Sequence, residues 1–559
     1  MNARTGAHWR GERVEPASVS TTAPGPDEAV GDVAAEEGRL RRHLGIGGLS
    51  AIGFSNIVGS GWLFAAMYAA QIAGPAALLA WVAAGILCAL VALVMVELGA
   101  TRPEGGGTVR WPLYASGRLA GSVIGFSVLL SVGATSAELT AIVQYAGYYL
   151  PQLYVDDALT GWGVVAAVVL SIVLTTLNWF GVRLFGRLNT AVTVVKVVVP
   201  VLTVVLLLVS GFDAGHLTGS GPGGGFAPYG YGAVLSALAG GGIVYSVNGF
   251  QAPVDFSGEA RDPRRTVPIA VLASIAAAVL VYLGLQLAFL GAVPDTLLAA
   301  GWSGVKLDSP FGQLAVALNL GFLAALLYAD AVVSPGGSAF VGFAVDARHT
   351  YALGKNRLLP RAVMRVHAAS GVPRRALALN LAVIVVFLLP FRGWQDIVSV
   401  MGDLYLLLYL AAAVAAEVFR RREPGRLSGW VPGLRVIAPV AFVLSSLFVY
   451  WSGFDDLRLA LPLTLIGVPL FVFLWRTDRV GSLATEFRRG AWLVVHLLVL
   501  TLLSGLGSFD GAGVLTAPWD TVVTAAWAAL LFPLAVRSGV RDAGPGDVEG
   551  RDPAAVAEG

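Results

Sequence analysis

The chain has 559 residues, 56% of them hydrophobic and only 13% charged, and its mean hydropathy of +0.74 lies outside the range of water-soluble globular domains. A formal net charge of +2, spread over many short segments, gives no footprint for nucleic acid. The single cysteine, Cys88, sits in an apolar run, which excludes an intrachain disulfide and a thiolate metal cluster and leaves it a packing role.

Residues 1–43 are polar and rich in Gly, Pro, Glu and Arg, without the apolar stretch of a cleavable signal peptide, and read as a disordered tail. Apolar runs bounded by Gly, Pro or charge follow near 46–70, 75–100, 120–150, 161–180, 189–211, 229–252, 267–293, 311–345, 375–391 and 395–419. Four more lie near 435–452, 458–475, 491–507 and 518–536, before a second polar tail over 538–559. A bilayer crossing takes about 20 apolar residues, so the pattern predicts an all-α integral membrane protein of about 14 transmembrane helices.

Basic residues orient these spans. Loops after even-numbered runs carry Arg102, Arg110 and Arg118, then Arg183 and Arg187, then Arg261, Arg264 and Arg265. The next two carry Arg348, Lys355, Arg357, Arg361, Arg365, Arg374 and Arg375, and Arg420, Arg421, Arg422, Arg426 and Arg435. The alternate loops hold mainly acids, such as Asp156, Asp157, Asp213, Asp295, Asp308, Asp455 and Asp456. Positive residues near span ends stay in the cytoplasm, so both termini are expected there, in a multi-pass protein of the cell membrane.

The first run contains Asn56-Ile57-Val58-Gly59-Ser60-Gly61, with two glycines and a serine at mid-membrane depth. Hydrocarbon cannot satisfy backbone groups that a weakened helix releases, so a break there needs surrounding protein or a wet cavity, and its free N–H groups suit a carboxylate. Close helix packing is the other reading of such small residues. The sixth run is interrupted in the same way by Gly240-Gly241-Gly242 and by Tyr245-Ser246-Val247-Asn248-Gly249-Phe250-Gln251. The two breaks lie five spans apart, an odd number, so the second unit crosses in the opposite sense, as in an inverted repeat with its site between the broken helices.

The residues from Asn56 to Gly61 resemble the first-helix signature of the amino acid–polyamine–organocation permeases. Glu97-Leu98 with Pro103-Glu104-Gly105-Gly106-Gly107 is similar to the family's end of helix two, and Gly249-Phe250-Gln251 with the stretch Gly258 to Ala270 to its helix six and following loop. The stretch from Ala347-Arg348 to Pro360, with Gly371-Val372-Pro373, resembles the loop after helix eight. The resemblance covers roughly residues 45–420 and leaves helices eleven to fourteen outside.

It implies a LeuT-like 5+5 inverted-repeat core over 44–420, with repeats at about 44–211 and 229–420 and discontinuous helices 1 and 6, followed by four additional helices over 435–537. It implies a secondary amino-acid transporter working by alternating access, with neither catalytic chemistry nor a cofactor. The substrate carboxylate would rest on the N–H groups of Ser60 and Gly61, beside Gly59, and on the Ser60 hydroxyl. The ammonium would meet carbonyls around Asn56 and Ile57 and the unwound stretch Asn248, Gly249 and Phe250. Tyr245 matches an aromatic position that closes over the substrate.

Charges inside a membrane are costly and mark functional candidates. Lys196 lies mid-span in helix five and matches a lysine that proton-coupled relatives place where sodium-coupled ones bind a cation. A desolvated ammonium can load and release a proton, and its charged form replaces Na⁺. Glu138 and Asp330 lie in apolar stretches and are the stronger partners or proton carriers, whereas Asp255 and Glu259 lie near the cytoplasmic end and Asp403 in helix ten. Gln251 stands where many relatives have Glu, and a neutral amide cannot titrate. The details of both breaks resemble the branch of aspartate–proton symporters.

The expected activity is proton-coupled uptake of an acidic or neutral amino acid, with exchange, polyamine transport and a non-transporting sensor as alternatives. The expected partners are the amino acid, protons and the lipid bilayer, with no nucleic acid. No glycine-rich Walker loop points to an ATPase, and the six histidines show no metal-ligand spacing.

Overall fold

The computed structural model describes residues 44–102, 107–179, 182–218, 223–364, 372–425, 427, 429–478 and 482–541. The tail expected over 1–43 lies outside the described residues. In hydrocarbon every backbone N–H and C=O must find its partner within the protein, and the apolar runs accordingly form helices. Among the described residues, eleven helical stretches are long and apolar enough to cross a membrane.

The first crossing is built from two pieces, α1 (Ile46–Ile57) and α2 (Gly61–Ala73). A short turn through Pro75 leads into α3 (Ala77–Thr101). Next come α4 (Gly107–Ser131), α5 (Ala134–Gly147), α6 (Gly161–Trp179) and α7 (Val182–Gly211), with a two-stranded hairpin of β1 (Tyr154–Val155) and β2 (Ala158–Leu159) between α5 and α6. The second interrupted stretch is α8 (Gly232–Gly240), α9 (Ile243–Val247) and α10 (Ala252–Asp255). It leads to α11 (Pro263–Ala292), α12 (Pro310–Ala317), α13 (Gly321–Lys355), α14 (Arg374–Leu388) and α15 (Trp394–Arg422). Last are α16 (Leu434–Trp451), α17 (Phe454–Leu465), α18 (Gly467–Asp478), α19 (Leu483–Leu506) and α20 (Trp519–Arg541).

Three expected boundaries move. The segment read as a loop before the third span is the buried start of α4, where Arg110 is 5% exposed. Gly117, at φ 79°, breaks α4 there. The carbonyl of Tyr114, before the break, accepts Arg422 at 2.9 Å and Arg489 at 3.3 Å, and the N–H of Arg118, after it, donates to Glu486 at 2.6 Å. Positive charge at one helix end and negative charge at the next match the two dipoles, so α15 and α19 cap both stubs. The eighth span, expected to stop at 345, continues as α13 to Lys355. The last helix reaches Arg541 rather than ending near 537, and the rest of the expected C-terminal tail lies outside the described residues.

Burial sorts the helices into layers. On α15 almost every side chain from Trp394 to Phe419 is buried, which places it centrally. On α6 and α7 the residues Val165, Val169, Ile172, Val194, Val198, Val201 and Val205 are exposed, as expected of a lipid-facing surface.

Candidate functional site

A continuous helix would bond the carbonyls of Ser55, Asn56 and Ile57 to the N–H groups of Gly59, Ser60 and Gly61. The break between α1 and α2 removes those partners: the Gly59 N–H turns to the Ile57 carbonyl at 3.0 Å, and the Ser60 N–H donates to Glu138 Oε2 at 2.7 Å. Each released carbonyl acquires a side-chain donor from a different helix. Lys196 Nζ on α7 donates to Ser55 at 2.5 Å, Ser338 on α13 to Asn56 at 3.3 Å, and Tyr282 on α11 to Ile57 at 3.1 Å. The break is therefore stitched to three surrounding helices.

Glu138, on α5, holds the position expected for a substrate carboxylate. It sits at the start of α2 on the Ser60 N–H, with the Tyr245 hydroxyl donating to Oε1 at 2.9 Å. A side chain on Gly59 would collide with both carboxylate oxygens, and one on Gly61 with Ser246. The Ser60 hydroxyl accepts the Trp394 indole N–H at 2.7 Å. Trp394 in turn stacks on Tyr68 with ring centres 5.6 Å apart and lies 5.1 Å from Phe64, so aromatic rings cover the α2 side of the break.

The second break forms because Asn248 leaves the helix in an extended conformation and Gly249 follows at φ 105°. A Cβ on Gly249 would lie 2.7 Å from the Asn56 carbonyl oxygen, so only glycine lets the two breaks touch. Asn56 Nδ2 donates to the Gly249 carbonyl at 3.1 Å, Tyr409 donates to Asn248 Oδ1 at 2.6 Å, and the Gly249 N–H donates to Gln251 Oε1 at 3.1 Å. The carbonyls expected to receive a substrate ammonium at Asn56, Ile57 and Gly249 thus carry internal donors.

Between the breaks and α4, α5, α13 and α15 lies a cavity of about 60 Å³, room for a few water molecules. Asn56, Ile57, Glu138, Tyr245, Asn248 and Gly249 line it, and it extends to Asp346 and His349. Gly59, Ser60 and Gly61 stand behind Glu138 rather than on the wall, and Phe250 packs against Tyr409 with ring centres 5.4 Å apart. Lys196 and Asp330, fully buried, also stand off the cavity. Asp330 accepts the Ser334 hydroxyl at 2.7 Å, and the charges acting most on Lys196 are Glu138 and then Asp330. Gly337 packs against the Lys196 side chain, where an added Cβ would lie 3.3 Å from its Cε.

Sequence reasoning missed Trp394, Tyr282, Tyr409, Asp346 and His349. The first three carry no local signal, because each acts on a backbone or side-chain group far away in the chain. Asp346 and His349 were legible as an i, i+3 pair, but the polar run from Asp346 to Arg348 read as a loop. Sequence spacing also concealed Asp213, His216 and Asp295, whose potential ligand atoms lie within 4.8 Å of one another. Here His216 Nε2 lies 2.9 Å from Asp295 Oδ1 and Nδ1 lies 3.1 Å from the Leu290 carbonyl, joining the segment after α7 to the end of α11.

The sequence matches the amino acid permease family over residues 44–474, beyond the expected limit of 420. It is 36% identical over 516 residues to the glutamate/serine transporter AimA of Bacillus subtilis, covering 90% of this chain and 94% of that protein. It is 30% identical over 506 residues to the aspartate-proton symporter of the same organism, covering 88% and 95%. A methylthioribose transporter from that organism is 24% identical over 438 residues, covering 74% and 88%.

Proposed function

The chain belongs to the amino acid permease family, and from that premise we propose that it is a secondary transporter, not an enzyme, which carries an acidic or hydroxyl-bearing amino acid together with a proton by alternating access. The observation that carries this reading is the 2.7 Å contact between the Ser60 N–H and Glu138. A helix N-terminus holds an anion better than a neutral acid. Protonation of Glu138 weakens its hold on Ser60 and frees the seat for the substrate carboxylate, so proton and substrate bind together. Lys196, between α1 and α13, senses the charge of Glu138 and passes its state to the break through the Ser55 carbonyl. The names of two relatives, the glutamate/serine transporter and the aspartate-proton symporter, support the substrate class.

In this reading the protein makes fourteen crossings. Some of them are segmented or short, among them α1 with α2, the stretch α8 to α10, α14, and α17 with α18. Residues 44–420 form the LeuT-like 5+5 core, with repeats over about 44–211 and 229–420, and the four helices over 435–537 are added to it. Both termini face the cytoplasm of the cell membrane, as the arginine-rich loops support.

Purified protein in proteoliposomes, given labelled glutamate, aspartate and serine with and without an inside-alkaline pH gradient, tests the proposal. Accumulation driven by that gradient and indifferent to Na⁺ is expected. Exchange without gradient-driven accumulation would instead make the protein an exchanger.

A further inference from the structure

Thr108 of α4, Asp255 of α10 and His349 of α13 meet where the cavity approaches the Lys355 end of α13. The Thr108 hydroxyl donates to Asp255 Oδ1 at 2.8 Å, and His349 Nε2 lies 3.0 Å from Asp255 Oδ2 and 3.3 Å from Thr108 Oγ1. An ionised carboxylate only accepts, which assigns the proton to Nε2. The other ring nitrogen, Nδ1, is buried without a protein partner, although His349 is 5% exposed and lines the cavity. An orphaned nitrogen beside a polar cavity is a site for a proton or a hydrogen-bonding ligand.

Charged and titratable groups around this ring include Asp255 from α10, Asp346 and Arg348 from α13 itself, and Glu138, Tyr245 and Tyr405, which line the same cavity; α4 contributes the neutral Thr108. Arg348 is engaged elsewhere, with Glu259 at 2.9 Å and over the Phe256 ring at 4.0 Å. Asp346 lies one turn before His349 on the same helix and lines the same cavity.

We propose that His349 is a second proton-binding site of the transport cycle and that its charge controls closure of the cavity at this end. The inference rests on the proton-coupled reading above. A hydronium ion in the cavity gives its proton to Nδ1, leaving water, and the imidazolium then bonds Asp255 through Nε2 and faces Asp346 through Nδ1–H. α10 and α13 are held together. Loss of the Nδ1 proton leaves a neutral ring joined to Asp255 by Nε2–H alone, and the end of the cavity opens toward the cytoplasm. Because the proton arrives from the side that receives substrate, acidification there slows release.

The test is counterflow of labelled glutamate by the full chain in proteoliposomes, with external pH held constant and internal pH varied from roughly 5.5 to 7.5, the range in which histidine titrates. The wild-type rate is expected to fall about tenfold toward the acidic end, and that of His349→Gln to change less than about twofold. Asp346→Asn removes one facing anion and is expected to move the midpoint about one pH unit lower. An unchanged profile in His349→Gln overturns the inference. Should that variant fail to fold, an unchanged midpoint in Asp346→Asn does so. Gradient-driven accumulation by the wild type, measured in the same vesicles, separates the two levels: its absence removes the symport reading, whereas its presence with an unaltered variant profile removes only the role of His349.

Discussion

The Glu138 carboxylate occupies the space that a Gly59 side chain would need, and one of its oxygens lies 2.7 Å from the Ser60 nitrogen. A protein carboxylate thus rests on the helix end where a substrate carboxylate was expected. The proposed cycle follows from competition between the two anions for a single seat.

Gly59→Ala forces a methyl group against both oxygens. Overpacking of this kind costs about 1–3 kcal/mol, so the purified variant is expected to melt several degrees lower in detergent and to lose uptake. Adding Glu138→Ala removes the obstruction and is expected to restore the melting temperature but not gradient-driven uptake. A Gly59→Ala protein that melts and transports like the wild type would contradict this close approach.

Glu138→Gln keeps the size and one acceptor oxygen for the Ser60 N–H, but its NH2 cannot accept the Tyr245 hydroxyl and it cannot ionise. At constant internal pH, exchange is expected to persist with little dependence on external pH, while a gradient of one pH unit, which supplies about 1.4 kcal/mol or tenfold accumulation per proton, no longer concentrates substrate. The check is the ratio of internal to external labelled glutamate at steady state. A ratio equal to that of the wild type would remove Glu138 from the coupling.

Lys196→Ala leaves the Ser55 carbonyl without its donor, at a cost of about 1–3 kcal/mol, and removes the only cation described as acting on Glu138. Binding, followed by substrate-induced thermal stabilisation, is expected to weaken, and accumulation to be lost. Unimpaired accumulation would count decisively against its role.

Trp394→Phe retains a ring against Tyr68 and Phe64 but not the N–H given to Ser60. One hydrogen bond is worth about 1 kcal/mol, so KM is expected to rise about fivefold with melting little changed. A KM within experimental error of the wild type would show that this bond does not position the break.

The sequence by itself determined where the helices run and where they break, because both are local questions. Hydropathy is a property of a stretch of residues, and Gly59-Ser60-Gly61 and Gly249 interrupt apolar runs visibly wherever the rest of the chain lies. It erred where local polarity misleads: Arg110 and the run Asp346 to His349 look like loop, yet they lie in helices, where Arg110 and His349 are buried in protein. Only the tertiary structure decided how the broken backbone is satisfied. Lys196, Ser338, Tyr282 and Glu138 reach Ser55, Asn56, Ile57 and Ser60 across 78 to 282 residues of sequence. Hydrocarbon cannot supply those partners, so helix packing must, and no local pattern records which side chain a distant helix will bring.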